Sequence, residues 1–226
     1  MARIPLIEPD AVDGDLDEFF GAVAALLGRV PHFYRTISHA PLLAMLFLPI
    51  NAANQREWPG ARLSGRIKEL VVIKTSHVNG CDYCYAHNTS LGQAAGITHE
   101  QIIDMSSDDY KSSNNFTERE RAAVLWAENV TRNTAQKNGP VYDQVKAHFS
   151  DAEIVELTLI CAMFNMINRI NDSLDITIEE QPEIDKIQSS LVLDPERMST
   201  YLHWLADNWG KDFDTINQQA EAAAAA

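Results

Sequence analysis

The sequence predicts an all-α helical bundle, and three observations carry that prediction. Apolar residues recur at helical spacing along most of the chain, side-chain caps mark the helix starts, and strand-like alternation is almost absent. Residues 1–13, with two prolines and several acids, read as an irregular arm. From Asp15 the residues Phe19, Phe20, Val23, Leu26 and Leu27 share one helical face, which Gly28 and Pro31 end. Pro41 opens an apolar segment toward Asn51–Asn54. Ser64 precedes Ile67, Leu70, Val71, Val72 and Ile73, the face of a strongly buried helix that runs out at Asn79-Gly80, where glycine suits a left-handed cap. A new helix starts at or just after Cys81 and ends before Gly96. Thr98 with Gln101, Thr117 with Glu120 and Ser150 with Glu153 have the spacing of capping boxes, the last opening the long segment Ile154–Ile170. Between them lie the polar loop 106–115 and the Gly139-Pro140 break. Asp194-Pro195 opens a final amphipathic helix through Met198, Tyr201, Leu202, Leu205 and Trp209. The low-complexity stretch from Gln218 reads as a frayed helix end or an artificial appendage.

Composition narrows the classes of function. The chain has 226 residues, 46% hydrophobic and 22% charged, which is an ordinary globular composition for one domain or two small ones. Its longest apolar run, Pro41–Ile50, is half of what a bilayer span needs, and no secretory signal is read at the start. Eighteen Lys and Arg against 32 Asp and Glu give a formal charge of −14, which disfavours nucleic acid and anionic membranes as partners. Cys81, Cys84 and Cys161 are too few and odd in number for a disulfide framework, so a reducing cytoplasm is expected.

The chemistry is expected at Glu69, Cys81-Asp82-Tyr83-Cys84 and His87. On one continuous helix Glu69 and Cys81 would stand about 120° apart. The break at Asn79-Gly80 lets the next helix fold back and bring the cysteines over the Glu69 face. In that helix's first turn, unpaired N–H groups and the positive end of the dipole favour a thiolate, against the charge of Asp82. His87 lies one turn beyond Cys84, within reach of a proton exchange. Glu69, flanked by Leu70, Val72 and Ile73, should hold a proton near neutrality. Three uses of the pair stay open: redox or nucleophilic chemistry, a zinc site with His87 and either Glu69 or His77, and incidental core cysteines. Tyr85 after Cys84 excludes haem attachment, and no βαβ pattern supports a thioredoxin fold.

Other candidates read as structural. His77 suits a helix C-terminus, and Cys161 a small core position. Met45, Met163 and Met166 are expected in the core. Asn165, Asn168 and Asn171/Asp172 form a polar stripe that either lines a pocket or subunit contact or satisfies packed helices.

The segment ELVVIKTSHVNGCDYCYAHNTSLGQAAGIT (69–98) resembles the alkylhydroperoxidase D-like, carboxymuconolactone decarboxylase superfamily. The resemblance continues more weakly through 116–133 and 148–174. It implies an all-helical fold with the CxxC opening a central helix, and assembly into symmetric homo-oligomers. It implies a helical core at 61–175, and the rest of the sequence reads as an N-terminal arm and helices at 1–60, a C-terminal helical extension at 176–217 and a tail at 218–226. In the peroxidase branch the second cysteine is oxidised to a sulfenic acid and the first closes a disulfide, while a glutamate and a histidine form a relay. Those catalytic roles fall on Cys84, Cys81, Glu69 and His87. One position departs: the family histidine four residues after the second cysteine is Asn88 here, and His87 lies three after. The expectation is a thiol peroxidase acting on organic hydroperoxides, with an external thiol reductant and no cofactor or metal. A lyase or isomerase using Glu69 and His87, and a non-catalytic helical protein with a CxxC-held metal, are the alternatives.

Overall fold

The computed structural model describes residues 3–209 and 213–225. Parts of the expected arm, extension and tail (residues 1–2, 210–212 and 226) lie outside the described residues. Twelve α-helices are found among the described residues, with no strand; Glu57 and Val192 form one isolated parallel bridge. They are α1 (Gly14–Leu27), α2 (His32–Ile37), α3 (Pro41–Gln55), α4 (Gly65–Asn79), α5 (Asp82–Ala94) and α6 (His99–Met105). There follow α7 (Glu118–Thr131), α8 (Gly139–His148), α9 (Asp151–Leu174), α10 (Gln181–Ile184), α11 (Pro195–Asn208) and α12 (Phe213–Ala225). No described helix is long and apolar enough to cross a membrane.

Helix α4 is the axis of the bundle and packs on α5, α7 and α9. Every residue from Ile67 to Ser76 is buried, so the helix is enclosed on all sides. That enclosure takes Lys68, Glu69 and Lys74 out of water along with the apolar residues. Lys68 is neutralised by Glu156 at 3.0 Å and donates to the Arg56 carbonyl at 2.8 Å. Lys74 stands 3.7 Å from Glu128 and donates to the Met105 carbonyl at 3.0 Å.

Local signals act where the sequence places them. Ser64 accepts the Ile67 N–H, and the boxes at Thr98/Gln101, Thr117/Glu120 and Ser150/Glu153 are all closed. Gly80 ends α4 at φ +70°, a conformation costly for a side chain with a Cβ, and so turns the chain into α5. Pro49 sits inside α3, where it has no N–H for the Met45 carbonyl. The Tyr201 hydroxyl of α11 donates to that carbonyl at 2.7 Å instead, so a long-range contact replaces a local one.

Several expectations are corrected. Leu202 on α11 and Trp209, the residue that caps it, are exposed, and Met166 is exposed on α9, whereas Met45 and Met163 are buried as expected. Tyr110, inside the polar loop, is fully buried and donates to Glu128. The alanine-rich stretch continues α12 and buries Ala220 and Ala223 where α12 meets α1 and α3.

Candidate active site

Cys81 is the N-cap of α5. Its Sγ accepts the Cys84 N–H at 3.4 Å, which draws the first cysteine over the helix start and sets the two thiols side by side. Both are free and buried, Cys84 only 3% exposed. The Cys84 Sγ accepts Nδ2 of Asn171, on α9, at 3.3 Å. The asparagine stripe therefore divides. Asn165 and Asn168 both accept from Asn79 Nδ2, at 3.1 and 2.8 Å, and tie helices together, whereas Asn171 donates to the thiol, on which the Asn168 amide also acts.

The expectation that the helix terminus makes Cys84 anionic is corrected. Burial pushes this thiol well above its ordinary range, the adjoining Cys81 adds to the effect, and the Asn168 amide opposes it in part. A helix terminus supplies a partial charge, while removal from water penalises a full one.

Glu69 lies in the interior of α4. Burial raises its carboxyl from 4.5 to about 8, with Arg56, Gln55 and Lys68 pulling the other way, so it holds a proton at neutrality as the sequence predicts. Its Oε1 accepts Gln55 Nε2 at 3.1 Å. The same Nε2 donates to Asn88 Oδ1 at 2.8 Å, and Asn88 Nδ2 donates to the Cys84 carbonyl at 2.6 Å. Glu69 is thus linked to the CxxC turn through Gln55 and Asn88, not through His87.

His87 is held elsewhere. Its Nδ1 donates to the Tyr83 carbonyl at 2.7 Å and its ring stacks on Tyr83 at 4.2 Å between centroids. Nε2 stands 2.8 Å from Glu179 Oε2, an ion-pair contact off the linear hydrogen-bond approach. Glu179 Oε1 also accepts the Tyr83 hydroxyl at 2.9 Å and the His32 N–H at 2.6 Å. Burial acts to raise the Glu179 carboxyl, but His87 and the His32 N–H outweigh it and bring the group down to about 2. Glu179 belongs to the segment after α9, ninety-two positions from His87, where nothing in TIEEQPE distinguishes it from Glu180 or Glu183.

These groups surround a cavity of about 70 Å³ whose lining includes Cys84, His87, Asn88, Gln55, Arg56 and Arg29. The residues 29–34 and Ile187 close it, so both flanking regions wall the site. The zinc arrangement is not assembled. His87 turns to Tyr83 and Glu179, Glu69 turns to Gln55, and the His77 ring lies 6.0 Å from that of Tyr85. Among the described residues no group of three His, Cys, Asp or Glu could hold a metal ion. Cys161 packs against the Thr75 and Thr131 hydroxyls at 3.3 and 3.5 Å, away from the cavity.

Residues 48–129 match the carboxymuconolactone decarboxylase family. Over 105 residues, 46% of this chain and 70% of the relative, the sequence is 28% identical to the uncharacterized protein YdfG of Bacillus subtilis (strain 168). The structure is similar to that of an uncharacterized peroxidase-related protein from Ralstonia eutropha JMP134, described as an alkylhydroperoxidase AhpD core. The TM-score is 0.69 at 21% identity, over 85% of this chain and 98% of that one. It is also similar to the debrominase Bmp8, with a TM-score of 0.64 at 24% identity over 81% and 96% of the two chains. At these identities the structural likenesses establish the fold.

Proposed function

The chain belongs to the alkylhydroperoxidase D-like, carboxymuconolactone decarboxylase superfamily, and from that premise we propose that it is a dithiol oxidoreductase reducing organic hydroperoxides through Cys84 and Cys81. The observation that carries this reading is the pair itself: two free thiols on one helix start, the second on a cavity shared with His87. The Cys84 thiol gives up its proton as sulfur attacks the terminal peroxide oxygen. The O–O bond breaks, Cys84 becomes a sulfenic acid, and the alkoxide leaves as the alcohol once protonated. The Cys81 sulfur then attacks the Cys84 sulfur, water departs, and an external dithiol reduces the resulting disulfide. His87, positioned by Glu179 and Tyr83, exchanges the proton with the cavity contents. Glu69, protonated near neutrality, accepts from Gln55 and so fixes the Gln55–Asn88 arm that meets the Cys84 carbonyl, a positioning role.

The test is a thiol count before and after one equivalent of cumene hydroperoxide, with mass spectrometry locating the new bond. Loss of two thiols joined as Cys81–Cys84 is expected; oxidation scattered over all three cysteines defeats the reading. A second reading is a lyase or isomerase in which Glu69, protonated near neutrality, and His87, on the cavity, do the acid–base work. Activity on a lactone acid that survives alkylation of both thiols would select it. In either case a second copy of the chain is the proposed partner. Leu43, Leu46 and Ile50 of α3 and Met166 of α9 are exposed and line an apolar groove of about 700 Å³. Sedimentation equilibrium tests this by the mass it returns.

A further inference from the structure

We propose that the cavity beside Cys84 is an anion site, and that Arg29 and Arg56 hold the carboxylate or equivalent oxyanion of the substrate there. The inference deepens the thiol reading by naming the substrate class and rests on it only in placing the reacting end at Cys84.

Both arginines line the cavity, and they are 5% and 1% exposed. Arg56 donates to Gln55 Oε1 and, at 3.2 Å, to Ser190 Oγ, but its Nε has no partner. Arg29 makes no hydrogen bond among the described residues and its buried Nε is likewise unpartnered. Neither guanidinium has a described carboxylate within 4.0 Å. The buried lysines behave differently: Lys68 and Lys74 each face a glutamate, at 3.0 and 3.7 Å. The protein therefore neutralises its buried cations except the two on this cavity. A buried guanidinium with no counter-charge is costly to fold around, and an anion in the cavity relieves that cost.

The nearby carboxyls do not remove that excess. The acidic charge nearest in influence to Arg56 is Glu69, which keeps its proton up to about pH 8. Glu179 and Glu183 act on Arg29 only from beyond 4.0 Å, and Glu179 is held in place by His87, Tyr83 and the His32 N–H. Arg56 also feels the like charge of Arg29. Burial lowers both, Arg56 to about 10, which leaves them cationic at neutrality. A positive interior in a chain of charge −14 is a local arrangement, not a consequence of composition. Guanidinium groups match planar oxyanions in hydrogen-bond geometry. At about 70 Å³, the space suits a small carboxylate group, roughly two water volumes. Phe33 and Phe164 supply an apolar wall for the carbon it is attached to.

The experiment compares acetate with its neutral isostere acetamide on the intact wild-type chain. Acetate is expected to raise the thermal unfolding midpoint and to slow alkylation of Cys84 by iodoacetamide, while acetamide does neither. In Arg29→Gln and Arg56→Gln the acetate concentration needed for half the effect should rise at least about tenfold, the loss of one charge-assisted contact. Should either variant fail to fold, the wild-type comparison decides alone: acetate and acetamide acting alike overturns the proposal. Hydroperoxide turnover is measured in parallel. Acetate binding without turnover defeats the peroxidase reading and leaves the anion site standing; turnover without acetate discrimination does the reverse.

Discussion

Two carboxyls in different regions of the molecule reach the CxxC helix, Glu69 through Gln55 and Asn88 and Glu179 through Tyr83 and His87, and are driven in opposite directions. Glu69 lies in the enclosed helix α4, where its one hydrogen-bond donor is an amide, and burial lifts it to about 8. Glu179 lies in the segment after α9 and is also buried, though less completely. A histidine, a tyrosine hydroxyl and a backbone N–H converge on it, and it falls to about 2. Burial alone makes an acid; burial with converging donors makes a fixed anion. The core helix thus stores a proton and the flanking segment stores a charge.

The most severe way to break this contrast is to remove the reacting sulfur of the helix that both groups reach. Cys84→Ser is expected to lower hydroperoxide turnover by about a thousandfold or more. Cys161→Ala, which removes an equally buried thiol distant from the cavity, should leave turnover within about twofold. Equal losses in the two variants would show that oxidation is not specific to the pair.

The carboxyls themselves come next. Glu179→Gln is expected to lower kcat/KM by about a hundredfold, because His87 loses the group that orients it. The pH profile should change shape and not merely scale, which separates positioning from loss of structure. Glu69→Gln should cost about tenfold. A larger loss at Glu69 than at Glu179 would reverse the roles proposed for them.

Stability against pH gives a sharper test with opposite signs. Folded Glu69 keeps its proton to about 8 while the unfolded chain releases it near 4.5, so its burial costs increasing stability as pH rises through that window. Glu69→Gln should abolish this loss, worth about 4 kcal/mol by pH 8. Folded Glu179, at about 2, contributes stability that is present above 4.5 and lost as pH falls through 2. Glu179→Gln should remove about 3 kcal/mol above pH 5 and leave the variant nearly level with wild type at pH 2. Urea unfolding across pH checks both. The smallest effect is expected from Tyr83→Phe, which removes the hydrogen bond to Glu179 and the one accepted from the Phe33 N–H and should cost about 2 kcal/mol.

The CxxC turn was readable from sequence because its parts are near neighbours. Glu69, the Asn79-Gly80 break, Cys81, Cys84 and His87 fall within nineteen positions, and their order follows from helix geometry. The three capping boxes were readable for the same reason, since each closes over three residues. The relay was not. The sequence pairs Glu69 with His87 because both border the cysteines, whereas Gln55 and Asn88 stand next to Glu69, and Glu179 takes His87. Gln55 and Arg56 have no sequence mark beyond being polar at the end of an apolar helix.

Helix starts and stops, the enclosed character of α4 and the neighbourhood of the two thiols follow from the order of residues, because caps and amphipathic spacing act over one or two turns. The carboxylate partner of His87 and the two unneutralised arginines depend on how 29–34 and 179–190 close over α5. Those contacts join residues 50 to 150 positions apart, such as Phe33 with Tyr83 and Arg56 with Ser190. Only packing brings such groups together, and packing also removes the water that sets their charge.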